Sequence, residues 1–325
     1  MAKRNQPSTP TELQPRQADF GFDLDAAVGA MVDLKSVAPA DAFTAETLGR
    51  ERRGHGVVVN ADGLVLTIGY LIIEAETVWL TTNEGRIVQG HALAFDPVSG
   101  FGLVQALAPL DLPVARFGMA AAVQPGDRLV IAGAGGRDHA IVARLAARQE
   151  FAGYWEYLLE AALFTAPSHP DWGGAGVFDE TGRLIGVGSL QIEQAEPGRA
   201  KSLLNMVVPI DLLTPVMSDL VKYGRAQGPA RPWLGVYVIE MGERLVIAGV
   251  ANGGPAEQAG IEGGDILMAV AGERPRSLAD LWRKVWSLGP AGVEIPLLIE
   301  RDARIFEAKV KSVDRLQMFK ARVLH

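Results

Sequence analysis

Short apolar runs separated by turn signals dominate the N-terminal two thirds of the chain. Residues 54–67 predict a β-hairpin, because Asp62-Gly63 at its tip supplies the positive-φ positions of a tight turn. Further strands are predicted at these positions: residues 78–82, 86–95, 101–107, 128–132 and 183–187, with a strand or short helix at 28–34. No long amphipathic helix separates these runs, so the pattern predicts a mostly β protein with a closed antiparallel architecture.

The pattern changes to a helical one after residue 207. Asp211 is a candidate N-cap for a helix whose apolar stripe comprises Leu212, Leu213, Val216, Leu220 and Val221. A second helix is predicted from the N-cap Ser277 to Leu288, with Leu278, Leu281, Trp282 and Val285 on one face.

Five segments follow from this reading. They are a disordered tail at residues 1–21, a first domain at 22–224, a linker at 225–230, a small α+β domain at 231–315 and a C-terminal tail at 316–325. The N-terminal tail is polar and rich in Pro and Gln, which is typical of disorder.

Composition narrows the class of protein. The 325 residues carry a net charge of −7, which argues against a nucleic-acid partner. There are no cysteines, so disulfides and cysteine-ligated metals are excluded, and no cofactor is predicted. The N-terminus lacks the apolar region of a signal peptide and no segment has the length of a membrane span, so we expect a cytoplasmic location and no membrane partner.

Residues 168–187 have the outline of a nucleophile loop. A Pro- and Gly-rich turn leads to Gly173-Gly174, and a hairpin with Thr181-Gly182 at its tip follows. Ser168, His169 and Asp171 lie within four residues of each other in this loop. Immediate neighbours seldom point at one another, so an ordinary polar loop is favoured over a catalytic cluster. A metal site using His91 or His169 has no supporting ligand spacing.

The order of several short motifs carries a resemblance to a known family. They are Asp62-Gly63, Leu66-Thr67, Asp96-Pro97, Pro125-Gly126-Asp127, Gly173-Gly174, Gly182 with Ile185-Gly186, Pro209-Ile210-Asp211 and Pro232-Trp233-Leu234-Gly235-Val236. In this order the chain resembles an HtrA (Deg)-type trypsin-like serine protease with one PDZ domain, over residues 25–315. The resemblance implies a trypsin-like double antiparallel β-barrel at 22–224 and a PDZ domain at 231–315.

The same resemblance implies that the catalytic triad is absent. The positions of the family's histidine, aspartate and serine hold Tyr70, Gly100 and Trp172. A phenol with an ordinary pKa near 10 is a poor base, glycine has no side chain and an indole is no nucleophile. The glycine that donates an oxyanion N–H in the family corresponds to Pro170, which has no N–H. Tyr70 and Trp172 are expected to fill the cleft rather than to form a ligand pocket.

For the PDZ domain, the resemblance implies a groove for a peptide C-terminus beside Trp233, Leu234, Gly235 and Val236. The backbone N–H groups of the last three would receive the peptide carboxylate. A PDZ fold used only for internal packing is the alternative. Family members also form trimers through N-terminal aromatic residues, which makes Phe20 and Phe22 candidates for a homo-oligomer contact.

The sequence therefore predicts a catalytically inactive binding or scaffold protein with the fold of a protease. An active serine endopeptidase is the first alternative, favoured by the fold and opposed by the residues at the site. A small-molecule or metal-binding protein that uses the altered cleft is the second.

Overall fold

The computed structural model describes residues 9–194 and 201–320 of the chain. These residues form two compact units. The first comprises the residues up to 149 together with 161–227, and the second comprises 150–160 together with 228–320.

The first unit contains two closed six-stranded β-barrels. The N-terminal barrel has the strand order β1-β2-β3-β6-β5-β4. Its strands are β1 (Met31–Val37), β2 (Glu51–Val58), β3 (Leu64–Ile68), β4 (Thr77–Thr81), β5 (Ile87–Phe95) and β6 (Phe101–Ala106). Alternate residues of β5 are buried, as expected for a strand with one face on a core. The barrel confirms the closed antiparallel architecture that the sequence predicts.

The second barrel has the order β10-β11-β12-β9-β8-β7. Its strands are β7 (Arg128–Ala132), β8 (Ala140–Gly153), β9 (Tyr157–Ala166), β10 (Gly176–Phe178), β11 (Leu184–Gln194) and β12 (Ser202–Pro209). Its core includes Leu129, Ile131, Leu163, Val177 and Val207, all buried. The long strands β8 and β9 have no counterpart among the sequence predictions.

The described residues of this unit also form three short α-helices: α1 (Leu24–Gly29), α2 (Ala45–Leu48) and α3 (Met217–Tyr223). The predicted N-cap role of Asp211 is wrong. Its carboxylate accepts the N–H groups of Ala120 and Ala121 at 2.9 and 2.8 Å, and α3 begins only at Met217. The Asp211 side chain therefore satisfies the start of a distant 3₁₀ turn rather than the start of α3.

The predicted disorder of residues 1–21 is wrong for residues 9–21; residues 1–8 lie outside the described part. The hydroxyl of Thr9 donates to the carbonyl oxygens of Asp138 and Ala140 at 2.9 and 3.0 Å. Phe20 is buried, with the Arg128 guanidinium 4.5 Å from its ring centroid. The segment is fixed because it contributes an aromatic anchor and backbone hydrogen bonds despite its polar composition.

The second unit is built on a five-stranded antiparallel sheet in sequence order. Its strands are β13 (Val236–Met241), β14 (Arg244–Val250), β15 (Ile266–Val270), β16 (Glu294–Arg301) and β17 (Arg304–Lys311). Two helices pack with it, α4 (Pro255–Gln258) and α5 (Leu278–Ser287). Ser277 caps α5 by accepting the Asp280 N–H at 3.1 Å, and Leu278, Leu281, Trp282 and Val285 are buried, as predicted.

The domain boundaries drawn from the sequence differ from these units in two places. Residues 150–160, at the turn between β8 and β9, belong to the second unit although they precede it by about seventy residues in the chain. The predicted C-terminal tail begins inside a 3₁₀ turn at Arg315–Met318, where the Asp314 carboxylate accepts the Leu316 N–H at 3.0 Å. The part of the tail at 321–325 lies outside the described residues.

Candidate functional site

The three positions that the resemblance assigns to a catalytic triad lie together. Tyr70 and Trp172 line one pocket of about 290 Å³ in the first unit, together with Pro170. Gly100 is adjacent to Tyr70 in space, because its carbonyl oxygen accepts the N–H of Gly69 at 2.7 Å. The fold therefore brings the three positions close together, and they carry a phenol, a glycine and an indole.

The hydroxyl of Tyr70 is a donor in this pocket. It donates a hydrogen bond to the carbonyl oxygen of Ser189 at 2.8 Å. Burial raises the pKa of this phenol above its ordinary value, so the proton stays on the oxygen. A carbonyl has no proton to give, so Tyr70 in this arrangement has neither the charge nor the partner of a general base.

Hydrogen bonds from the Arg52 side chain hold the short turn that carries Tyr70. The buried guanidinium of Arg52 donates to the carbonyl oxygens of Tyr70 and Ile73 at 3.1 and 2.7 Å. It also donates to the Thr44 hydroxyl at 2.8 Å, and that hydroxyl donates to the Glu74 carboxylate at 2.6 Å. This network fixes the backbone of the turn at Tyr70, while the Tyr70 hydroxyl is held by the Ser189 carbonyl.

The Gly173-Gly174 pair is required by close packing of the loop. Gly174 has φ +80°, and a Cβ there would lie 1.9 Å from the carbonyl oxygen of His55. The His55 N–H donates to the carbonyl of Gly173 at 2.8 Å. The retained glycines therefore have a structural explanation that does not depend on catalysis.

The loop also lacks an oxyanion donor at the predicted place. Pro170 is exposed and has no N–H to donate. The next N–H, that of Asp171, is used within the loop, where it donates to Nδ1 of His169 at 3.1 Å.

The Ser168, His169 and Asp171 cluster is not arranged as a triad. His169 is buried, and its Nε2 lies 3.0 Å from the carbonyl oxygen of His139. Because Nδ1 accepts the Asp171 N–H, Nε2 is the protonated nitrogen and donates to that carbonyl. The Ser168 hydroxyl oxygen instead accepts from Gln191 at 3.3 Å. Both imidazole nitrogens are occupied, and burial lowers the His169 pKa, so the imidazole is a neutral structural group.

His55 is likewise structural. Its Nδ1 accepts the Ala134 N–H at 3.1 Å, and burial, with His169 and His139 nearby, lowers its pKa to about 3. Across residues 9–194 and 201–320 no group of three or more His, Cys, Asp or Glu side chains is placed to hold a metal ion. In the same ranges, no helix combines the length and apolarity that crossing a bilayer requires.

A second site lies in the loop that precedes β13, and its backbone donors are occupied by a side chain. The N–H groups of Leu234, Gly235 and Val236 all donate to the Glu156 carboxylate, at 3.0–3.1, 2.7 and 3.1 Å. Gly235 has φ +77°, which turns three successive N–H groups toward one point. Trp233, the fourth residue predicted for this site, is buried and pairs with Val313.

Glu156 belongs to the β8–β9 turn, and that turn makes further contacts in the second unit. The carbonyl oxygen of Tyr154 accepts the N–H of Val238 in β13 at 2.8 Å. The carbonyl of Gly153 accepts the indole N–H of Trp282 in α5 at 3.0 Å. Leu158 is buried in the same apolar core as Trp282. The edge of β13, the helix α5 and the loop at residues 234–236, which we call the carboxylate loop, therefore all contact one short segment, residues 153–158.

Sequence reasoning missed Glu156, although a signal was present. Residues 151–159 contain four aromatic residues and one acid, Glu156. The four rings, Phe151, Tyr154, Trp155 and Tyr157, contact one another. A single carboxylate among four aromatic residues needs hydrogen-bond donors if it is buried, and this requirement could have prompted a search for convergent N–H groups.

Comparisons with known proteins agree with this architecture. Residues 54–187 match the family described as Trypsin-like peptidase domain, and residues 246–301 match the PDZ domain family. A probable periplasmic serine endoprotease DegP-like protein of Pseudomonas fluorescens is 25% identical over 77% of this chain and 54% of its own length. The putative serine protease HhoB of Synechocystis sp. is 24% identical over 76% of this chain and 63% of its own length.

Among solved structures, the HtrA-type protease AlgW with decapeptide aligns with 90% of this chain and 99% of its own chain, at 19% identity and TM-score 0.54. The chain therefore combines a trypsin-like peptidase domain with one PDZ domain, and its homologues are DegP/HtrA serine proteases. It spans between about half and two thirds of the length of the curated relatives it matches.

These relatives correct the predicted location. The expectation of a cytoplasmic protein is wrong, because the DegP-like relatives from Pseudomonas fluorescens and Pseudomonas putida are described as periplasmic. The expectation rested on the composition of the N-terminal residues, and that composition does not report the compartment in which the relatives work.

Proposed function

We propose that this protein is a catalytically inactive homologue of the HtrA-type proteases that acts by binding peptide or protein C-termini. One observation carries the first half of the proposal: Tyr70 and Trp172, at two of the positions that the resemblance assigns to the triad, line one pocket, and the Tyr70 hydroxyl donates to a carbonyl. Gly100, at the third position, lies beside Tyr70. A nucleophile, a base and an orienting acid act as a unit, and none of the three is present at these positions.

Peptide binding is supported by the loop at residues 234–236. Three convergent backbone N–H groups form a site for a carboxylate, and the neighbouring strand β13 offers backbone hydrogen bonds to an extended segment. The related structure of AlgW with a decapeptide supports a peptide as the occupant. An extracytoplasmic workplace is proposed from the periplasmic relatives.

Labelling with a fluorophosphonate serine probe tests the inactive site. The wild-type chain and a Trp172→Ser variant are incubated with the probe, and the labelled residue is identified by mass spectrometry. We expect no site-specific label on either protein, because residue 70 is a phenol with a raised pKa and burial lowers the pKa of His55, which lines the same pocket, to about 3. Specific labelling of one serine in the wild type, removed by changing that serine to alanine, would instead support an active endopeptidase.

A further inference from the structure

The turn between β8 and β9 meets the PDZ domain in the way that a C-terminal peptide would. Along residues 153–156 the contacts run in order from the helix, to the strand, to the carboxylate loop. Such a peptide adds as a strand beside β13 and places its terminal carboxylate in the loop. The Glu156 side chain supplies a carboxylate from inside the chain.

The geometry of Glu156 is that of a bound ligand. It is 7% exposed and has φ +61°, a conformation that non-glycine residues seldom adopt. That conformation lets the side chain leave the turn toward the three N–H groups, all within 3.1 Å. Arg315 lies near enough to stabilise the carboxylate electrostatically.

Ion pairs at the edge of the turn add to its attachment. Arg283 in α5 forms salt bridges with both Glu150 and Glu160, the residues that flank the turn on its two strands. These side chains are more than 40% exposed, so each pair contributes little by itself. Together they hold both strands of the hairpin against the helix that borders the peptide groove.

We propose that residues 153–158 are an internal ligand of the PDZ domain, and that a peptide C-terminus binds only by displacing them. This inference rests on the proposed peptide-binding function. While the turn is docked, the three N–H donors of the loop, the Val238 N–H of β13 and the Trp282 indole N–H all have acceptors in it. An external peptide therefore binds in proportion to the fraction of molecules whose turn is released.

Peptide binding to Glu156→Ala and wild type tests the proposal on the full chain. The probe is a decapeptide library with randomised C-terminal residues and free carboxylates, and the best binder is then titrated against each protein. Glu243→Ala removes an exposed carboxylate from the β13–β14 turn and serves as the matched control. We expect Glu156→Ala to bind about tenfold more tightly than wild type or more, and Glu243→Ala to equal wild type.

Hydrogen exchange at Leu234, Gly235 and Val236 separates the two proposals. If no peptide binds any variant, the proposed peptide-binding function is wrong. Hydrogen exchange alone then tests whether residues 153–158 are an internal ligand. Faster exchange of these three amides in Glu156→Ala than in Glu243→Ala supports the internal ligand. Equal peptide affinity in wild type and Glu156→Ala overturns it, as does unchanged exchange, whichever peptide result accompanies it.

Discussion

The carboxylate of Glu156 accepts the N–H of Gly235 at 2.7 Å, across 79 positions of sequence. This bond places a buried acid at the centre of the PDZ carboxylate loop. Burial raises the pKa of Glu156 to about 7, against the opposing effects of the three backbone N–H groups and Arg315. Tyr237, in β13, is the other titratable group near Arg315.

The raised pKa fixes the direction of a pH dependence. The released turn has the ordinary Glu value of 4.5, so ionisation costs more in the docked state. The contribution of Glu156 is fully present below about pH 4.5 and is lost as the pH rises through about 7. We therefore expect the melting temperature of wild type, relative to that of Glu156→Gln, to fall between these values.

Paired melting curves of wild type and Glu156→Gln at each pH measure this difference, because the variant shares every other titrating group. A difference that grows as the pH rises would contradict the prediction. It would mean that the N–H donors and Arg315 outweigh burial and hold the Glu156 pKa below its ordinary value.

The indole of Trp282 gives a second prediction. Trp282→Phe removes the donor to the Gly153 carbonyl and leaves that buried acceptor without its partner, at a cost of about 1–3 kcal/mol. We expect faster hydrogen exchange at the Val238 N–H, which donates to the neighbouring Tyr154 carbonyl. Trp286→Phe is the matched control, because the Trp286 ring stacks with Trp282 in the same helix. Equal hydrogen exchange at the Val238 N–H in both variants would contradict the prediction.

The Gly173-Gly174 pair gives a third prediction. Gly174→Ala places a Cβ 1.9 Å from the His55 carbonyl oxygen at φ +80°. Gly136→Ala has a similar φ, +76°, with no atom within 4 Å of the new Cβ. The control isolates the conformational penalty, about 1–2 kcal/mol. We expect Gly174→Ala to lower the free energy of unfolding by clearly more than that in urea titrations. Similar losses would show that the loop relaxes freely.

A variant that rebuilds the family's catalytic triad gives a fourth prediction. The triple variant Tyr70→His, Gly100→Asp and Trp172→Ser should stay essentially inactive. If position 170 corresponds to the oxyanion donor that the resemblance implies, Pro170 still withholds that N–H, and such a loss typically costs about 10²–10³ in turnover. Gly100 also has φ +83°, a backbone conformation that an aspartate adopts less readily than glycine.

Adding Pro170→Gly to that triple variant should recover more peptidase activity than any other single fourth change. The rate at which the triple and the quadruple variants cleave a chromogenic peptide ranks their peptidase activities. A triple variant that already works at the rate of an ordinary relative would contradict the role given to position 170.

The barrels and the helix α5 were predictable because local patterns determine them. Alternating burial along β5 and the Ser277 cap are read from neighbouring residues. The docking of Glu156 was not predictable in this way, because its three donors lie 78 to 80 positions away. Asp211 was misassigned for the same reason, since its carboxylate binds amides about 90 positions earlier. Hydrogen bonds between a side chain and backbone groups that are distant in sequence cannot be predicted from local sequence patterns.

The aromatic residues near the N-terminus show the same limit. Phe20 packs edge-to-face with Phe22 at 5.4 Å and beneath Arg128 at the start of β7. The resemblance to a family that forms trimers through N-terminal aromatic residues made both rings candidates for a trimer contact. The buried ring of Phe20 is accounted for within one chain, and the oligomeric state stays a prediction.

Hydrolysis of unfolded casein by wild type and by Glu156→Ala tests the central claim most directly. The variant empties the PDZ loop, so it separates a protease held inactive by its own turn from a site that lacks the chemistry. We predict that neither protein cleaves casein above the rate of a buffer control, because Tyr70, Gly100 and Trp172 are the same in both. Casein cleavage by either protein, abolished by changing one serine such as Ser168 to alanine, would contradict the account.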